Sequence, residues 1–174
     1  MPEGLGIVRI AGKNWMYRRN PERVCLKAGG KRHAEIGKRK REKRHGREFV
    51  MKRELGIARC GLACCLCSEN ITCAGCDSGE CPDRDRCENR KCSVSKDFAH
   101  CYECGEVCRK GILHKLKPYA FTEFARRYGE EELLDCLERN EKNGVVYHRD
   151  GINGDYDEFH DVETLITFIR TGHR

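Results

Sequence analysis

The chain is 174 residues long, 39% hydrophobic and 36% charged, so no large apolar core is expected and something besides hydrophobic burial must stabilise part of the fold. Its net charge of +6 divides unevenly: through Arg53, 17 Lys and Arg oppose 5 Glu, whereas from Glu54 onward 17 basic residues oppose 23 acidic ones. That is a basic arm joined to an acidic body.

Residues 1–53 are the arm, polar and nearly free of apolar periodicity. The run GKRKREKRHGRE at Gly37–Glu48 predicts a solvated, disordered stretch, and the first fifty residues read as a candidate over-extended gene start. The N-terminus lacks the apolar run and cleavage site of a secretory signal, and no stretch has the length of a bilayer span. A cytoplasmic protein with no membrane partner is expected. Met51 opens MKRELGIARCGL, the natural start of the ordered part.

Residues 54–110 hold twelve of the fourteen cysteines, between Cys60 and Cys108, among many Gly, Asp, Asn and Ser. Turns, at most short strands, and a few helical turns are predicted here. In residues 111–174 the pattern becomes helical. FTEFARRY after Pro118 spaces Phe121, Phe124, Ala125 and Tyr128 along one face. EEELLDCLERNEK follows, with acids in its first turn and Leu133, Leu134 and Leu137 on one side, and Gly144 is its stop. VVYHRDGINGDYDEF predicts a short strand and a turn. Asp161 is placed to cap a last helix carrying Val162, Leu165, Ile166 and Ile169, ended by Gly172. The expected fold is small α+β, mostly α: a metal-stabilised Cys-rich module of turns and short elements, then a helical C-terminal region packed on it.

The thiol spacing narrows the chemistry. Cys73 and Cys76, Cys101 and Cys104, and Cys64 and Cys67 are C-x-x-C pairs. A C-x-x-C turn lets two thiolates converge on one ion, and two such units complete the tetrahedral sulfur shell that zinc prefers. Disulfides disagree with a reducing compartment. Cys60-x3-Cys64-x2-Cys67 has the spacing of radical S-adenosylmethionine enzymes, but so short a chain cannot supply their barrel. A ferredoxin-type cluster wants a longer regular run ending in Cys-Pro, and Arg109 follows Cys108. A thioredoxin-type pair needs a βαβ frame that is not present. Closed, structural zinc sites are the foremost reading, with two ions expected, while twelve thiols suffice in number for a third. An iron–sulfur cluster stays open as the alternative. Cys25 reads as a free thiol, Cys136 as a small core residue, and His100 as exposed.

RCGLACCLC, TCAGC, CENRKC and HCYECGEVC together resemble an uncharacterised prokaryotic cysteine-rich family of unknown function. Its pattern is Cys-Gly-Leu-x-Cys-x-x-Cys, Cys-x-Gly-Cys, Cys-x4-Cys, Cys-x-x-Cys and a final Cys. The likeness covers about residues 58–172, and Cys65, Cys81 and Val107 depart from it. It implies metal binding through Cys60, Cys64, Cys67, Cys73, Cys76, Cys87, Cys92, Cys101, Cys104 and Cys108, and implies no activity.

No P-loop, G-x-S-x-G or H-E-x-x-H is present, so an enzyme is the weaker expectation. Asp150–Glu158 fits no calcium-loop register and reads as a turn. The expected role is an interaction or scaffold domain for an unknown protein partner. The alternatives are a redox or electron-transfer protein and a zinc-dependent nucleic-acid-binding protein. The basic arm can add a salt-sensitive, sequence-blind contact with nucleic acid.

Overall fold

The computed structural model describes residues 6–10, 13–17, 50–149 and 153–173, and the chain divides into two compact units, residues 1–39 and 40–174. In the first unit, β1 (Gly6–Ile10) pairs antiparallel with β2 (Lys13–Tyr17), Gly6 opposite Tyr17 and Ile10 opposite Lys13. This hairpin departs from the expectation of an arm without regular structure. The β-branched Ile7, Val8 and Ile10 and the aromatic Trp15 and Tyr17 are strand formers, which explains it. Cys25 and the run Gly37–Glu48 lie outside the described residues.

The second unit is mostly helical. Among its described residues the four α-helices are α1 (Glu88–Ser95), α2 (Leu116–Tyr128), α3 (Glu130–Lys142) and α4 (Val162–Thr171). α2 admits Pro118 because a proline in the first turn costs no intrahelical hydrogen bond. It stops at Gly129, whose φ of 95° only glycine adopts freely, and α3 starts at the next residue. Glu130, Glu131 and Glu132 occupy the first turn of α3, where the helix dipole favours negative charge. α4 begins as its sequence predicts: the Asp161 carboxylate accepts from the Thr164 N–H at 2.9 Å, and Gly172 closes the helix in the left-handed region.

Packing of α2, α3 and α4 forms the core. Phe121 is fully buried, edge-on to Tyr156 at 5.3 Å between ring centroids, and Tyr156 in turn meets Phe168 at 5.4 Å. Asn140, also fully buried, donates to the Ile169 carbonyl at 2.9 Å and to the Tyr156 hydroxyl at 3.3 Å, tying α3 to α4. Cys136 is buried in this core, as its position on α3 implies.

One expectation needs correction. No strand forms in the segment 145–159 among the described residues. The Val146 N–H donates to the Asp155 carboxylate at 2.7 Å, and Asp155 N–H returns to the Val146 carbonyl at 2.8 Å. A side-chain acceptor thus replaces a ladder partner, and the chain turns through a short 3-10 helix, Asp155–Asp157.

Residues on both sides of 53/54 contact the helical part. Lys52 N–H reaches the Cys65 carbonyl at 2.9 Å, and Arg53 pairs with Glu131 and Asp135 of α3, both at 2.8 Å. Ile57, Ala63, Cys65 and Leu66 join the same core as the helices. The first part of the Cys-rich segment therefore belongs to the helical body.

Gly61 marks the tightest approach in that joint. Its φ is +80°, and a Cβ there collides with the Pro118 carbonyl and the Thr122 hydroxyl of α2. Gly61→Ala is expected to destabilise the body by about 2–4 kcal/mol, combining backbone strain with displacement of α2. Chemical denaturation of the variant and parent measures the difference.

Candidate metal centre

The thirteen described cysteines are all free thiols, so no disulfide staples this region. Of the ten thiols singled out by spacing and resemblance, Cys60 is buried, and Cys64, Cys67, Cys73, Cys76, Cys87, Cys92, Cys101, Cys104 and Cys108 are half-buried. Among the described residues, no group of three or more His, Cys, Asp or Glu side chains stands at metal-holding geometry. The thiols nevertheless gather into two neighbourhoods.

The first surrounds a cleft of about 250 Å³ bordered by Cys64, Cys76, Arg59, Asp77 and His100. Burial pushes the Cys60 thiol up to about 12, and the nearby thiols of Cys76, Cys87 and Cys101 push it the same way. Burial likewise raises Cys64, with Cys76, Cys60, Cys67 and Cys73 adding to it. Such mutual repulsion means these sulfurs cannot all ionise together without a cation among them.

Backbone donors already face several of the sulfurs. The N–H of Leu62 points to Cys60, that of Glu69 to Cys67, and that of Arg59 to Cys76, each favouring the thiolate. The first two lie two residues beyond their cysteine, the local geometry of a metal-binding knuckle. Cys87 is the N-cap of α1, its sulfur accepting from the Arg90 N–H at 3.4 Å.

The second neighbourhood is a cavity of about 30 Å³ bordered by Cys92, Cys101, Cys104 and Cys108. Burial raises Cys101 to about 11, and Cys108, Cys92, Cys104 and, from the first neighbourhood, Cys87 add to the shift. Lys96 donates to the Cys104 sulfur at 3.7 Å while pairing with Glu106 at 3.0 Å.

Arginines hold the surrounding loops. Arg59 donates to the Phe98 carbonyl at 2.6 Å and pairs with Asp77 at 3.0 Å, and Arg90 donates to the Cys76 carbonyl at 3.2 Å. Arg126 of α2 spans the Cys101–Cys104 turn, donating to the carbonyls of Tyr102 at 3.2 Å, Cys101 at 3.3 Å and Cys104 at 3.0 Å. Spacing gave no warning of these residues, because each acts on a backbone carbonyl distant in sequence.

Cys65 and His100 also find their places. Cys65 is fully buried among apolar side chains, its thiol pushed up to about 12 by burial, and this separates it from its neighbours Cys64 and Cys67. His100, expected to be exposed, is half-buried: its Nε2 lies 3.3 Å from the Ile57 carbonyl, and its ring stacks on Tyr102 with centroids 4.9 Å apart. Arg59 accounts for that burial, since its carbonyl accepts the Cys101 N–H at 2.7 Å and draws the loop inward.

Compared with protein-family models, with curated proteins and with solved structures, the chain matches none.

Proposed function

We propose that the chain is a zinc-binding protein whose ions are structural, and that its role is to present a metal-stabilised surface to a protein partner. One observation carries this reading. Between Leu66 and Leu113 no apolar side chain is fully buried, yet the segment holds a helix, a series of defined turns and nine free thiols. A segment that buries so little cannot offset its conformational entropy by the hydrophobic effect. Bound metal supplies the missing free energy, and sulfur donors select zinc among the common divalent ions. Two closed shells of four thiolates use eight of the ten candidate cysteines and leave no open position for a reacting water.

The family likeness of the sequence points the same way. Protein purified reduced and without chelator is expected to contain about two zinc ions per chain by elemental analysis. Brown protein with iron and acid-labile sulfide, and little zinc, overturns the proposal in favour of an iron–sulfur protein.

A further inference from the structure

Resting on the zinc reading, we infer that Cys92, Cys101, Cys104 and Cys108 hold one ion together, as a mononuclear site separate from the remaining thiols. Spacing along the chain does not select this set: it pairs Cys101 with Cys104 and leaves Cys92 as readily joined to Cys87. The fold makes the selection. Cys92 lies on α1, Cys101 and Cys104 frame a 3-10 turn, Cys108 follows it, and all four border one cavity.

Three sets of contacts keep these segments together. Asn89, 2% exposed on α1, donates to the Lys110 carbonyl at 3.1 Å and accepts from the Ile112 N–H at 2.9 Å, fastening the chain beyond Cys108 to the helix bearing Cys92. The Phe98 N–H returns to the Ser93 carbonyl at 2.9 Å, folding the intervening loop back on α1. Arg126 anchors the Cys101–Cys104 turn to α2.

Size and charge favour a single ion. A cavity of about 30 Å³ has room for one or two water-sized spheres. A four-iron cluster inserts eight atoms inside the same thiol shell and does not fit without remodelling the walls. The four cysteines border the cavity without standing at metal-holding geometry, and an ion completes the shell by drawing their sulfurs inward. Four thiolates around a divalent ion carry net negative charge, and the Lys96 ammonium, already 3.7 Å from the Cys104 sulfur, offsets part of it.

The test uses the full chain, reduced, loaded with zinc or cobalt(II), with helical circular dichroism confirming that the body is folded. The doubly substituted Cys92→Ser, Cys108→Ser protein is expected to lose about one ion per chain, with cobalt–thiolate absorption falling by about half, whereas Cys136→Ser keeps both ions. Cys108→His is expected to retain the ion but shift the cobalt d–d bands, because one sulfur donor becomes nitrogen; a merely structural cysteine would not move them. If the parent protein binds no metal, the zinc reading itself fails. If the parent holds two ions and the double variant also holds two, or loses both, the assignment fails while zinc binding stands. Unshifted cobalt bands in Cys108→His likewise overturn it.

Discussion

Chelation of the reduced protein is expected to unfold the segment from about Cys67 to Ile112 while α2, α3 and α4 remain helical. The division follows from where burial lies. Every fully buried apolar residue described falls at Ile57–Leu66 or Leu113–Ile169, and these two stretches share one core. The intervening segment meets that core chiefly through polar links: Arg126, the Tyr102 hydroxyl on Glu130 at 2.8 Å, and the Cys101 N–H on the Arg59 carbonyl at 2.7 Å. Each such bond contributes only about 1 kcal/mol net, against about 1 kcal/mol or more of backbone entropy for every ordered residue. On the zinc proposal, removing the metal therefore tips the segment toward disorder. Amide resonances of Cys73–Cys108 should collapse to unfolded shifts, and those of Phe121, Leu137 and Ile169 should stay dispersed. Dispersed resonances throughout after complete metal removal would show that the segment folds by other means. Acidification should act as chelation does, since thiolate ligands compete with protons and metal is lost as pH falls.

Phe121→Ala should have the opposite distribution, destabilising the helical body whatever the metal content. Its ring is fully buried and touches both Tyr147 and Tyr156, with centroids 6.1 and 5.3 Å away. The Tyr147 hydroxyl accepts from the Ala63 N–H at 3.0 Å, so the cavity opens where the Cys-rich segment joins α2. Removing a phenyl ring from such a site costs about 3–5 kcal/mol and should lower the thermal midpoint by about 10–20 °C. Val107→Ala, at a side chain 82% exposed, should change stability by less than about 0.5 kcal/mol. A Phe121→Ala midpoint within a few degrees of the parent would mean the body is not built around this ring.

The two experiments separate what stabilises each part, and the same division explains how far the sequence could be read. Helices α2, α3 and α4 were legible because their signals are local. Apolar spacing, the acids opening α3, and Asp161 and Gly172 bounding α4 act within one or two helical turns. Cys136 was legible for the same reason, since it lies on the Leu133 and Leu137 side of α3. The hairpin of residues 6–17 was overlooked beneath the charge of the arm, although its β-branched and aromatic residues carry the signal.

Sequence by itself also determined where the thiols concentrate, at residues 60–108, and how they are spaced, because spacing is a local pattern. Which thiols become neighbours was decided only by the tertiary structure. Cys64, Cys65 and Cys67 are nearly adjacent in sequence, yet Cys65 enters the apolar core while Cys64 faces the cleft. Cys92 and Cys108 border one cavity because Asn89 and Arg126 fix loops whose path no local pattern specifies. The residues Met51–Leu66 join the helical body for a similar reason: Gly61 allows close contact with α2, and Arg53 reaches α3 from the far side of the sequence. Local propensity sets an element's type within a few residues, whereas the partners of a buried side chain depend on the whole path of the chain between them.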